Sequence, residues 1–184
     1  MGIYQQSDGG LSADSFGVGT FTSGLYYTQL MPVGDGTLVT SANNLVVSRF
    51  VVAKTTTFDR IAAEVTAGAV GSTVRLGIYA DTGGHRPSAL VLDAGTIDGN
   101  TVAVQEITIS QQLVPGLYWV GAVAQGGTPT VRSKSILDPS VGQAAATSFQ
   151  RTGYNQSGVA GALPNPMVPA ENSSAVPKVL LRAA

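Results

Sequence analysis

The sequence predicts an all-β fold: an antiparallel, jelly-roll-like β-sandwich with a long ordered loop before its last strand. Three observations predict it. Short apolar segments recur at roughly ten-residue spacing with turn residues between them, the rhythm of sandwich strands. Residues inside those segments alternate with period two, as half-buried strands require. No window carries a helical stripe, and Ala144 to Ala146 is too short for one. The 184 residues suffice for one domain with a sizeable core.

Residues 1–24 hold six glycines, two aspartates and no cation. They cannot build a core alone and read as an arm, a candidate particle-attachment segment, ahead of a sandwich domain over residues 25–184. Tyr26, Tyr27, Gln29 and Leu30 open the strand-rich block, and Gly34-Asp35-Gly36 reads as a turn. Leu45 to Ala53 is β-branched and apolar. Ile61, Ala63 and Val65 form one alternating face, and Val74, Leu76 and Ile78 another. Asp81 to Pro87 is a polar, Gly-rich loop. Ala89 to Thr96 and Thr101 to Ser110 read as hairpin partners around Asp98-Gly99-Asn100. Pro115-Gly116 turns the chain into Leu117 to Gln125, and Val179 to Leu181 closes the fold.

Between them, Ser135 to Ala175 carries only three charges, Asp138, Arg151 and Glu171, and four of the nine prolines. A loop of this length is functional or disordered as a rule. Phe149, Tyr154, Leu163 and Met167 supply apolar anchors that disorder lacks, so the segment reads as an ordered strap on a surface. The strand from Leu117 explains what it covers. Trp119 shares one face with Leu117 and Val123 and is assigned to the core. Tyr118, Val120, Ala122 and Ala124 on the other face are apolar too. A one-sided antiparallel strand is polar there, so this face needs a cover: the strap, a neighbouring subunit, or both. Tyr118, Val120, Phe149, Tyr154, Leu163 and Met167 are therefore the candidate interface residues.

Composition narrows the function. Charged residues make up 11% of the chain, under half the usual ~25%. A surface this poor in charge suits permanent packing against other proteins. The net charge is −1 and no Lys/Arg cluster occurs, which argues against nucleic acid and against a polybasic membrane patch. No apolar run reaches the ~18–20 residues that span a bilayer, and the N-terminus lacks the pattern of a signal peptide. With no cysteine, disulfides, thiolate zinc sites and cysteine nucleophiles are excluded.

The residues point away from an enzyme. His85 is the sole histidine, in a Gly-rich loop, and no serine sits in a Gly-x-Ser-x-Gly elbow. Asp81, Asp93, Asp98 and Glu106 are near one another in sequence, as paired glycosidase carboxylates would be. Asp98 is a turn residue, however, and Asp93 and Glu106 read as outward, solvated strand positions. No nucleotide or EF-hand motif is present, and calcium at Asp81 would rest on one carboxylate, so no cofactor or metal is expected. Tyr26, Tyr27, Tyr79, Tyr118 and Trp119 leave a second reading open, a carbohydrate-binding module whose rings stack on sugars, unless those rings fill the core.

Several strings resemble a family of virion proteins. Phe58-Asp59-Arg60-Ile61, Val74 to Asp81, Leu90 to Gly95 and Leu113 to Trp119 are similar to a β-sandwich domain of tailed-phage minor tail proteins and head or tail fibres, those of actinobacteriophages in particular. Ser157 to Pro164 and Pro177 to Arg182 fit the same group. The resemblance runs from about Leu25 to the C-terminus and rests on turn glycines and core positions. It implies a virion component assembled in the bacterial cytoplasm, often a homotrimer, that decorates the particle or contacts a host-surface glycan, with no catalytic residue to carry over. Residues 1–24 lie outside it.

Overall fold

The computed structural model describes residues 21–29, 32–136, 152–172 and 174–184. They form thirteen strands: β1 (Tyr26–Tyr27), β2 (Pro32–Val39), β3 (Asn44–Val52), β4 (Thr56–Ala67), β5 (Thr73–Asp81), β6 (Pro87–Asp98), β7 (Ala103–Leu113), β8 (Gly116–Gln125), β9 (Thr130–Ile136), β10 (Gly153–Ser157), β11 (Ala170–Asn172), β12 (Val176–Pro177) and β13 (Val179–Ala183). No helix occurs among the described residues. The strands make two antiparallel sheets, the sandwich that the periodicity predicts.

The six-stranded sheet runs β11-β10-β3-β8-β5-β6. In the seven-stranded sheet, β4 lies between β7 and β13, β13 carries β1, and β9 joins the end of β4, β12 and β2. Alternation decides which side chains meet. Ile61 and Val65 of β4, Leu181 of β13, Val74, Leu76 and Ile78 of β5, and Val120 of β8 fill the space between the sheets, closed at one end by Phe50 and Phe58. All are fully buried, and each large aliphatic side chain so placed stabilises the fold by about 1.5–3 kcal/mol before entropy is counted.

Five sequence expectations change. Trp119 and Leu117 do not face the inter-sheet core: Trp119 pairs across with Tyr79, not Ile78, and packs on the outer side of the six-stranded sheet. Both faces of β8 are apolar, so alternation alone could not choose between them. Gly34-Asp35-Gly36 is not a turn but the middle of β2, in register with Ser135, Lys134 and Ser133 of β9. The Asp98-Gly99-Asn100 reversal joins strands that do not pair: β6 pairs with β5 and β7 with β4. There the Gln105 side chain stands in for the ladder, donating to the carbonyls of Asp98 and Thr101 and accepting from the Asp98 N–H. The turn is thus a corner from one sheet to the other. Phe21, assigned to the arm, stacks on Phe50 at 5.7 Å and meets Phe58 edge-on at 5.2 Å, so the core begins before Leu25. The strap holds two strands of its own, β10 and β11, and β9 runs on past Arg132.

Candidate functional site

The strap covers the outer face of the six-stranded sheet from one side to the other and returns. It leaves β10 at Ser157, where the Val159 N–H donates to the Asn43 carbonyl. The Gln125 amide of β8 then donates to the carbonyls of Val159 (3.0 Å) and Gly161 (2.7 Å). Leu163 follows, lodged over Gly77 of β5. A Cβ at Gly77 would stand 2.1 Å from Leu163 Cδ1, so the missing side chain is the pit that receives the leucine. Beyond it the Pro164 carbonyl accepts from the Tyr79 hydroxyl (3.0 Å). At the far edge, Asn165 accepts the Leu90 N–H and the Met167 N–H donates to the Ser88 carbonyl. Val168 comes back to the Gln156 side chain (2.7 Å), and β11 pairs with β10. Beneath this span lie Trp119, Tyr79, Tyr154, Leu45, Val47 and Val123, all buried, with Trp119 and Tyr154 edge-to-face at 5.2 Å.

Charge under the strap is matched. Asp93 receives both contacts from Arg75 Nη1, at 2.9 and 3.0 Å, and accepts the N–H groups of Leu163 and Gly95. Burial opposes its ionisation, but the Leu163 N–H and the Arg75 guanidinium outweigh that and hold the carboxyl below its ordinary range. The same burial, with the Asp93 charge beside it, pushes the Tyr79 hydroxyl up and keeps it a donor. Asp81 Oδ1 accepts the Trp119 indole N–H (2.9 Å), and its Oδ2 accepts the N–H groups of Gly83 and His85. That bond holds His85 at φ 57°, a left-handed turn position, with its ring exposed.

The outer face of the seven-stranded sheet is different. Arg60 lies between Glu106 and Asp59, Arg182 grips Asp59 through two bonds, Arg132 grips Glu64 likewise, and Asp35 bridges Lys134 and Lys178. Lys134 and Lys178, bonded to Asp35, lower its pKa to about 2. Tyr26 adds a hydroxyl bond to Glu106. Half of the ten cations in the chain stand on this face, so the scarce charge is concentrated rather than spread. Val39, Val70 and Val102 are exposed, and a cleft of about 210 Å³ beside Val39 is lined by Val46, Val74, alanines, Asn44, Asn155 and Asn172.

The sequence-derived residues fall as follows. Tyr154, Leu163 and Met167 are brought together, under the strap and within one chain. Val120 lies between the sheets and Tyr118 is half-buried against the same core. Phe149 lies outside the described residues. Asp93, expected in solvent, is covered, and nothing local in the sequence marked it. Asp81, Asp93, Asp98 and Glu106 each have separate partners and form no facing pair. Tyr79 and Trp119 are buried, so neither offers a ring to a sugar. Among the described residues, no three His, Asp or Glu side chains gather as a metal site. Neither a family model nor a curated protein matches the sequence.

Proposed function

We propose that this chain is a structural component of a tailed-phage particle, in the tail tip, a fibre or the capsid decoration, and that it works by protein–protein assembly. One observation carries the assembly reading: the strap crosses the outer face of the six-stranded sheet and is fixed at β8, β5 and β6 by directed hydrogen bonds. The chain spends its polar side chains on holding itself rigid. Among the described residues, Asp35, Asp59, Glu64 and Asp93 are paired with cations of the same chain, and Asp81 is bonded to the Trp119 indole. The strings that carry the phage resemblance support the same reading, since they fall on β4, β5, β6, β8, the strap and β13, the framework itself. A carbohydrate-binding module would need aromatic rings on an open face, and the strap lies over the two best placed.

Leu163, Met167 and Tyr154 are already enclosed within one chain, so contacts between copies, of whatever order, fall on other surfaces. The test is mass spectrometry of purified particles encoded alongside this gene. The chain is expected at stoichiometric abundance, and its absence from intact particles overturns the proposal. A panel of ester, peptide and glycoside substrates checks the non-enzymatic side: turnover that vanished in His85→Ala would sink it.

A further inference from the structure

We infer that the free edge of β7 is a self-association site, at which a second copy of this chain adds its own β7 antiparallel about a two-fold axis through Thr108. Among the described residues, β7 pairs with β4 on one side and with no strand on the other. Among those residues it is the long edge that nothing caps. The outer edge of β6 is capped at Ser88 and Leu90 by the strap. The remaining edges are short, as at β1 and β11, or interrupted by glycines, as at β2. Proteins blunt exposed edges with lysine, proline or bulges. Ala103 to Leu113 contains no Lys, Arg, Pro or Gly.

The sequence of the strand commits the occupant. Gln105-Glu106-Ile107-Thr108-Ile109-Ser110-Gln111 is nearly palindromic. Antiparallel pairing centred on Thr108 sets Gln105 opposite Gln111, Glu106 opposite Ser110, Ile107 opposite Ile109, and Thr108 opposite itself. Apolar meets apolar, threonine meets threonine, and the sole charge of the strand never faces its own copy; such cross-strand pairs stabilise a sheet. Ile107 and Ile109 turn toward the inter-sheet core yet remain partly exposed at this edge, and the pairing would complete their cover. Val104, 58% exposed, extends the contact on the outer face. A two-fold axis makes the patch its own complement, as an isologous interface requires.

Sedimentation over a wide concentration range tests this with the full chain. Wild type should pass from monomer to dimer. Thr108 is exposed, so Thr108→Lys and Thr108→Glu should keep the wild-type circular dichroism and melting profile. Each should weaken dimerisation at least tenfold, because like charges meet at the axis. An equimolar mixture of the two should restore dimers, and Ser110→Lys, facing Glu106 of the second copy, should strengthen them. The Ser110→Lys experiment reads the axis even if one Thr108 variant folds poorly, and the mixture is read only where both variants keep the wild-type circular dichroism. A wild type that stays monomeric at the highest attainable concentration overturns the inference. So does a dimer indifferent to both Thr108 variants, or a mixture that fails to reassociate.

Discussion

Gly77 and Leu163 are 86 residues apart in the chain and form one lock. A methyl at Gly77 would meet Leu163 Cδ1 at 2.1 Å and the Leu92 carbonyl at 2.8 Å. The leucine can swing aside but the carbonyl cannot. Gly77→Ala should therefore destabilise by about 1–3 kcal/mol and Leu163→Ala by about 2–5 kcal/mol. Emptying the pit relieves part of the clash, so the double variant should cost less than the sum, a coupling that urea denaturation of all four proteins measures. Acid is the second probe at this scale. Asp35, Asp59, Glu64 and Asp93 all have carboxyls lowered in the folded chain. Their contribution is complete above the ordinary carboxylate range and is lost as pH falls from about 4 toward the folded values, about 2 for Asp35. Melting temperature should be flat from neutral pH to about 5 and drop below 4. High salt should shrink the difference between Asp35→Asn and wild type, since the Asp35 carboxylate is exposed, more than the difference made by Asp93→Asn under the strap.

The strands were legible wherever one face was polar: β4 and β5 show their core residues in plain alternation. At β8 the signal failed by being doubled. Leu117, Trp119 and Val123 are as apolar as Val120, Ala122 and Ala124, and only the position of the strap decides which set meets the other sheet. The strap itself was legible as an ordered element from its anchors, but not its latches: Asp93 and Gln125 act on residues tens of positions away. β9 was clipped because Arg132 and Lys134 interrupt its apolar pattern on the outer face. Trp119, the sole tryptophan, makes the strap observable. Asp93→Ala or Gln125→Ala should loosen it, shift the indole emission to the red and quicken acrylamide quenching; unchanged fluorescence with an unchanged melting point would show the latches to be dispensable. At the other end, removing residues 1–20 should leave the melting profile intact, whereas Phe21→Ala should lower stability by less than the ~3–5 kcal/mol of a fully enclosed ring, because Phe21 is half-buried.

At the scale of the molecule, polar groups are divided by task. Among the described residues, one outer face holds most of the ion pairs, β7 has an unpaired edge, and the other outer face is covered by the strap over the Arg75–Asp93 pair. Sequence composition announced the scarcity of charge but not its segregation, which depends on strand order. The strap also has a mechanical meaning. Two sheets held by apolar contact resist being pulled apart but slide past one another with little resistance, like greased plates. Here a third layer is stitched to β8, β5 and β6 by bonds that run across the strands. Drawing any one of those strands along its axis must break its ladder and its stitch together. Tension on this domain should then be borne up to a single abrupt yield, the behaviour of a riveted laminate rather than of a peeling tape.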